Sequence, residues 1–368
     1  MALLQHLALR DFRNVTHAAL DFPAEGVVII GDNGQGKTNL LEAIYYFQLL
    51  RSMRGARDQD LIRFGAPAFH LHARVTTRAE HELSAAFSRN GRKKVVVDGA
   101  EAKRLTSALG SLPSVVLSPR DIELVIGAPS ERRRYLDIAL AVTSIRYLVA
   151  LQTYRAALAR RNAALRLVAR GDESDEAVAV WEPAMAESGA VLIAVRAEWM
   201  RTHAPMLATL AAEIGEQETL EMRYVTTTSA TDDARQELLD TLERKRALDI
   251  RRGLTHAGPH RDDVALTIDG RELRTFGSAG QQRTAAIALR LLEATTIRAH
   301  EGSAPLLLLD DPFAELDVRR STRILQILSG DRTGQTILAV PRASDIPSDL
   351  RALPRWRIVN GMVTPETA

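Results

Sequence analysis

No cysteine occurs anywhere in the 368 residues. That excludes a disulfide framework, a thiolate metal site and a cysteine nucleophile, and it suits a reducing compartment. Neither sign of charge dominates: 48 Lys and Arg stand against 46 Asp and Glu, for a net charge of +2. A global basic field is therefore missing, and any attraction to a polyanion has to come from local patches. Long apolar runs are scarce. The stretch Ile138 to Ile145 is interrupted by Thr143 and Ser144 and closed by Arg146, too short to span a membrane. The segment MALLQHLALRDFRN alternates apolar and polar residues like a strand and lacks the apolar core and cleavage site of a secretory signal. The expectation is a cytoplasmic protein without a membrane partner. No internal repeat and no disorder-like composition stand out, and 46% hydrophobic with 26% charged residues can build two ordinary domains.

Against that background, Gly31 to Thr38 read GDNGQGKT, the pattern G-x-x-x-x-G-K-[ST]. Val27, Val28, Ile29 and Ile30 precede it as a buried parallel strand would, and Leu40, Leu41, Ile44 and Phe47 follow at helical spacing. Strand, loop, helix is the context phosphate binding needs. Gly31, Gly34 and Gly36 let backbone N–H groups turn toward an anion, and the helix N-terminus adds partial positive charge. Lys37 then reaches the β and γ phosphates of a nucleotide, and Thr38 offers its hydroxyl to Mg²⁺. Asp32, Asn33 and Gln35 complete the cradle.

Far downstream, Leu306 to Leu309 form an apolar strand that ends in Asp310 and Asp311, with Pro305 at its entry. A carboxylate at such a strand tip holds Mg²⁺, and the next positions or activates the attacking water. Between the two motifs the texture changes. From about Arg120 to Gly215, Ala, Leu and Arg recur at helical spacing, and the segment GDESDE from Gly171 to Glu176 reads as a solvated loop. Strand signals return at Leu220 to Val225 and Val264 to Ile268. The expected organisation is an α/β head begun by residues 1–120, a helical lobe over 121–215, and completion of the head by 216–368.

The string FGSAGQQR, Phe276 to Arg283, sits ahead of a helix shortly before the acidic strand. Alone it is a helix cap after a turn. In this position it resembles the signature loop of ABC-type ATPases, which closes over the γ-phosphate held by a partner head, so the resemblance implies dimerisation. Pro312 to Asp317 resembles the D-loop of the same superfamily, although Asp317 is equally suited to capping the next helix.

Together the strings FRN at Phe12 to Asn14, GDNGQGKTNLLEAIYY from Gly31, SPRDIELVIGAPSERRRYLD from Ser118, GPHRDD from Gly258, FGSAGQQRTAAIAL from Phe276 and LLLLDDPFAELD from Leu306 resemble the bacterial RecF family over nearly the whole chain. The resemblance implies a P-loop ABC-type ATPase head with mixed sheets and an inserted helical lobe. It also implies ATP and Mg²⁺ as cofactors, ATP-dependent homodimerisation, binding of double-stranded DNA, and RecO and RecR as partners in loading recombinase at gaps. By position it puts Arg13 near the γ-phosphate, Asn33, Gly36, Lys37 and Thr38 on the nucleotide, Asp310 and Asp311 in the site, and Ser278, Gly280 and Gln281 in trans.

The chain also departs from the ABC pattern. Asp311 stands where such heads usually have glutamate, Ala339-Val340-Pro341-Arg342 supplies no switch histidine, and Ser118-Pro119-Arg120-Asp121 supplies no glutamine to sense Mg²⁺. These departures point to slow hydrolysis used as a switch. In GPHRDD the bland reading is a turn that leaves Asp262 and Asp263 solvated. Between Ile138 and Arg170 lie six arginines, 146, 155, 160, 161, 166 and 170, and no acid. Arg155, Arg160, Arg161 and Arg166 are thus candidate duplex contacts, the alternative being an ordinary solvated face. Few aromatics interleave, which disfavours single-strand stacking. A transporter ATPase subunit shares the nucleotide motifs but normally has them closer together, and an ATP-binding scaffold without turnover would not need both carboxylates.

Overall fold

The computed structural model describes residues 1–231, 233–313, 318–329 and 334–366. They form two compact units, one made of Met1–Asp121, Glu213–Gly215 and Ile287–Ala368, the other of Ile122–Ala212 and Glu216–Ala286. This differs from the expected organisation, because residues 216–286 group with the helical segment and not with the head. The reason is local pairing. Strand Leu220–Val225 pairs antiparallel with Asp263–Ile268, which pairs in turn with Arg271–Glu272, so a small separate sheet forms.

The first unit holds two six-stranded sheets. One runs in the order Met362–Pro365, Arg355–Val359, Gly26–Ile30, Thr336–Val340, Leu306–Asp310, Ser114–Leu117. All its pairings are parallel except that of the edge strand Met362–Pro365. Gly26–Ile30, Thr336–Val340 and the first four residues of Leu306–Asp310 are buried throughout, which is why they read as continuous apolar runs. The other sheet is antiparallel, in the order Val15–Asp21, Leu3–Phe12, Ala68–Thr76, Glu80–Ser88, Lys93–Val97, Ala100–Glu101. Its core face carries Leu7, Leu9, Phe69, Leu71, Leu83 and Val95, against alternating exposed polar residues.

The second unit is built on helices Pro129–Thr143, Ile145–Val168, Glu182–Ile214 and Ala234–Arg252 with the small sheet. The segment Glu176–Ile214 is long and apolar enough by length and composition to cross a membrane, with a mean hydropathy of 1.4 in its most apolar stretch. Several of its apolar residues are core: Met185, Leu192, Ile193 and Leu207 are fully buried. The same helix buries Arg196 and Glu182 in ion pairs.

Candidate nucleotide-binding site

The phosphate-loop pattern lies between strand Gly26–Ile30 and helix Lys37–Leu49, as its sequence context predicts. Its three glycines are required for different reasons. Gly34 and Gly36 have φ of 82° and 117°, where side chains are strained. A Cβ on Gly36 would also stand 2.7 Å from Asn14 Oδ1. Gly31 is needed for close approach, since a Cβ there would lie 2.5 Å from the Ile358 carbonyl. The loop spends few of its donors internally: Gly31 N–H donates to Val340 O at 3.3 Å and Gln35 N–H to Asp32 O at 3.3 Å. Among the described residues the N–H groups of Asn33, Gly34, Gly36, Lys37 and Thr38 donate to no backbone carbonyl outside the helix. Asp32, Asn33 and Gly34 are exposed. An anion at this helix N-terminus finds unspent donors and a favourable dipole.

Lys37 folds over the loop and donates from Nζ to Gly31 O at 2.5 Å and Asp32 O at 3.0 Å. Burial lowers its pKa, against the opposing pull of Asp310, Asp311 and Asp32. Its neighbour Thr38 reaches across 272 residues of sequence, its hydroxyl donating to Asp310 at 2.8 Å from Oδ2 and 3.0 Å from Oδ1. Burial raises the Asp310 carboxyl above its ordinary value, against the Thr38 hydrogen bond and the Lys37 charge. Asp311 turns away from regular strand geometry, with φ of 49° and its N–H on Ala339 O at 2.9 Å. A hydroxyl and a carboxylate side by side are hard oxygen donors that fit Mg²⁺, an ion that takes few protein ligands and completes its shell with water and phosphate. Among the described residues no cluster of three or more acidic or histidine side chains could hold a metal by itself.

Arg13 is held back on the protein. Its guanidinium donates to Glu42 at 2.8 and 3.2 Å and to Asp60 O at 3.2 Å. Glu42 is fully buried and also receives Arg54 and the Ser52 hydroxyl. Burial alone would raise its carboxyl, but the hydrogen bonds from Arg54, Arg13 and Ser52 outweigh that and hold it low. Sequence reasoning assigned no role to Glu42 or Arg54, nor to three residues that brace the loop. Asn14 Nδ2 donates to Gln35 O at 3.0 Å and its Oδ1 accepts from Asn39 at 2.8 Å. From the other side Gly361 N–H donates to Gln35 O at 2.8 Å and Asn360 N–H to Gln35 Oε1 at 2.6 Å. The FRN string and the Asn360-Gly361 dipeptide were the available signals, the latter a hairpin turn with φ of 49° and 79°.

In the second unit, Ser278 caps helix Ala279–Glu301. Its Oγ accepts from Gln281 N–H at 3.2 Å, and Gln281 Oε1 accepts from Ser278 N–H at 2.8 Å, a reciprocal capping box. Ser278 is exposed, Gly280 and Gln281 are half-buried, and Phe276 beside them is 65% exposed. Asp317 lies outside the described residues. Asp121, in the segment lacking the glutamine, instead accepts from Ser118 N–H at 2.6 Å and from Arg290 at 2.8 Å.

The arginine run separates. Arg160 and Arg166 are exposed, Arg160 standing 4.9 Å over the Trp181 ring. Arg155 is exposed but paired with Asp137 at 2.8 Å. Arg161 is no surface cation: it is fully buried, with Glu182 at 2.9 Å, Asp249 at 2.8 Å and the Thr255 hydroxyl at 2.8 Å. The acids missing from its own helix come from two others. In GPHRDD the two aspartates are likewise engaged by the protein. Asp262 is 3% exposed and receives the Tyr224 hydroxyl, and Asp263 pairs with Arg132 at 2.8 Å.

Residues 3–346 match the model of the RecF/RecN/SMC N terminal domain. The chain is 33% identical to the DNA replication and repair protein RecF of Lactobacillus acidophilus, with 99% of each covered. To the protein of that name from a Synechococcus strain it is 34% identical over 99% of this chain and 98% of the other. A solved structure of the recombination mediator protein RecF with ATP, described as acting in the RecFOR pathway, superposes with a TM-score of 0.91 at 31% identity, covering 100% of this chain and 98% of that one. The Smc head domain of Pyrococcus furiosus superposes with a TM-score of 0.57 at 17% identity, over 100% and 96% of the two chains, and shares the fold. With the phosphate loop, the distant acidic strand and the mixed sheets all in place, the chain belongs to the RecF family of ABC-type ATPase heads.

Proposed function

We propose that the protein is an ATP-binding DNA repair protein in which ATP and Mg²⁺ join two copies head to head on double-stranded DNA. The observation that carries this reading is the Thr38–Asp310 hydrogen bond at 2.8 Å, which brings the two nucleotide motifs to one point from opposite ends of the sequence. The N–H groups of residues 33–38 cradle the phosphates. Lys37 moves from neutral loop carbonyls onto the β and γ phosphates, and Thr38 with Asp310 holds Mg²⁺. Arg13 and the residues Gly31, Asp32, Asn33, Gly34, Gln35 and Gly36 complete the nucleotide contacts. Asp311 orients the attacking water. Its short side chain, and the lack of a histidine after Thr336–Val340, make the protein a weak ATPase whose turnover resets a switch.

Ser278, Gly280 and Gln281 act on the nucleotide of the partner copy, and Asp317 takes part in that contact. Exposed Arg155, Arg160 and Arg166 meet the duplex backbone. The pathway named for the solved relative supports RecO and RecR as partners in loading recombinase at gaps, and a cytoplasmic location accords with that work.

Sedimentation with Mg²⁺ and ATP tests the reading in wild type, Lys37→Met and Ser278→Arg. Dimers are expected only with ATP and only in wild type. A protein that binds ATP yet stays monomeric would move Ser278 out of the trans role and leave an ATP-binding scaffold.

A further inference from the structure

The second unit contains a cavity of about 270 Å³ between helices Pro129–Thr143, Ile145–Val168 and Glu182–Ile214, closed by Pro259 and His260 of the GPHRDD segment. Four guanidinium groups line it, those of Arg133, Arg134, Arg155 and Arg196. Among the described lining residues one carboxylate, Asp137, faces them. Its oxygens are already committed: Oδ1 accepts from the Tyr147 hydroxyl at 2.5 Å and Arg196 at 2.8 Å, and Oδ2 from Arg155 at 2.8 Å. Asp262, behind the wall, lies 3.6 Å from Arg196. Leaving Arg134 aside, the three guanidinium groups of Arg133, Arg155 and Arg196 thus meet two carboxylates. Arg133 shows the imbalance most directly, since it donates to the Asp262 carbonyl at 2.6 Å and pairs with no carboxylate among the described residues.

We infer that this cavity is a binding site for a phosphate group, held by Arg133 and Arg155 over the His260 wall. Guanidinium forks match phosphate oxygens in geometry as well as charge. The volume falls just below the usual range of about 300–1,000 Å³ for small-molecule sites, which suits a phosphate with little attached. The electrostatics agree. Arg133 loses its proton more readily than usual, first through burial and then through the charge of Arg196. His260 is held down to about 4, first by burial and, among the neighbouring charges, by Arg261 and Arg133, against the Thr255 carbonyl. His260 is therefore a fixed neutral wall: its Nε2 donates to Thr255 O at 3.1 Å, so Nδ1 accepts the Tyr154 hydroxyl at 2.6 Å. The unexplained segment thereby acquires a role. Pro259 and His260 shape the cavity, Asp263 holds Arg132, and Asp262 with its carbonyl holds Arg196 and Arg133.

Calorimetric titration of the full chain with inorganic phosphate tests this site without relying on the ATP reading. Wild type and Lys37→Met should both keep a saturable phosphate site, the variant having lost any phosphate held at the nucleotide loop; on the Lys37→Met background Arg133→Gln should bind at least tenfold more weakly and Arg133→Lys in between, with circular dichroism unchanged in all. Absence of saturable binding in wild type, equal affinity in Arg133→Gln, or loss in Lys37→Met alone would overturn the inference; the last result would move the phosphate to the nucleotide loop. Adding duplex DNA identifies the source. Displacement of phosphate by the duplex assigns the site to a backbone phosphate, and retention assigns it to a free anion; both uphold the site.

Discussion

The phosphate loop and the core of the helical unit handle charge in opposite ways. Around the loop, Lys37 rests on neutral carbonyls and, among the described residues, the N–H groups of residues 33–38 other than Gln35 find no backbone acceptors outside the helix, so the positive potential remains available to a ligand. In the helical unit, Arg161 and Arg196 are buried among Glu182, Asp249, Asp137 and Asp262, and their charge is consumed by the protein. The difference teaches that an arginine's role depends on what the rest of the fold brings to it and not on the company it keeps in sequence. A buried ion pair is costly to leave half-made, whereas an exposed one contributes little.

The sharpest way to break this comparison is to remove one arginine of each kind. Arg161→Met should cost about 3–5 kcal/mol in urea unfolding, because Glu182 and Asp249 are left without a buried partner. Its neighbour variant Arg160→Met should stay within about 0.5 kcal/mol of wild type, since it removes only an exposed cation from above the Trp181 ring. Similar costs for the two would erase the distinction.

A second contrast concerns DNA. The double variant Arg160→Gln, Arg166→Gln should leave stability unchanged and reduce the slope of log affinity against log salt by ~0.9 for each phosphate that is no longer neutralised. An unaltered slope in fluorescence anisotropy removes both residues from the interface.

The smallest effect concerns Asp310. Its folded pKa is raised by burial, so the ionised carboxylate opposes folding: the stability present while it is protonated is lost as pH rises through the folded pKa. Asp310→Asn should therefore melt slightly above wild type at pH 7 without nucleotide. The gap should close in acid, where both the folded and unfolded forms of wild type are protonated, and Mg²⁺ with ATP should reverse the order. A variant that melts below wild type at pH 7 would show the carboxylate to be stabilising in place.

How much was legible in the sequence followed the range of each interaction. The loop and the acidic strand could be read because their glycines, apolar runs and terminal carboxylates are contiguous and answer local backbone demands. The braces on Gln35 could not, since Asn14 and Gly361 reach it only through the neighbouring strands of the two sheets. Arg161 was misread for the same reason: its carboxylates lie 21 and 88 residues away. The boundary at 216 rests on renewed strand signals, and a strand signal does not say which sheet the strand will join. Ser278 sits at a helix start as expected, and its capping box with Gln281 shows that a local structural role and exposure coexist in one residue.

The bracing of Gln35 also bears on biosynthesis. The loop appears early on the ribosome, yet its second brace, Asn360-Gly361, is made 325 residues later. Until the hairpin turn has left the exit tunnel, a nascent chain holds residues 31–38 from the Asn14 side only, with Ile358 not yet packed against Gly31. The order of the loop is thereby coupled to a hairpin turn made 325 residues after Gln35.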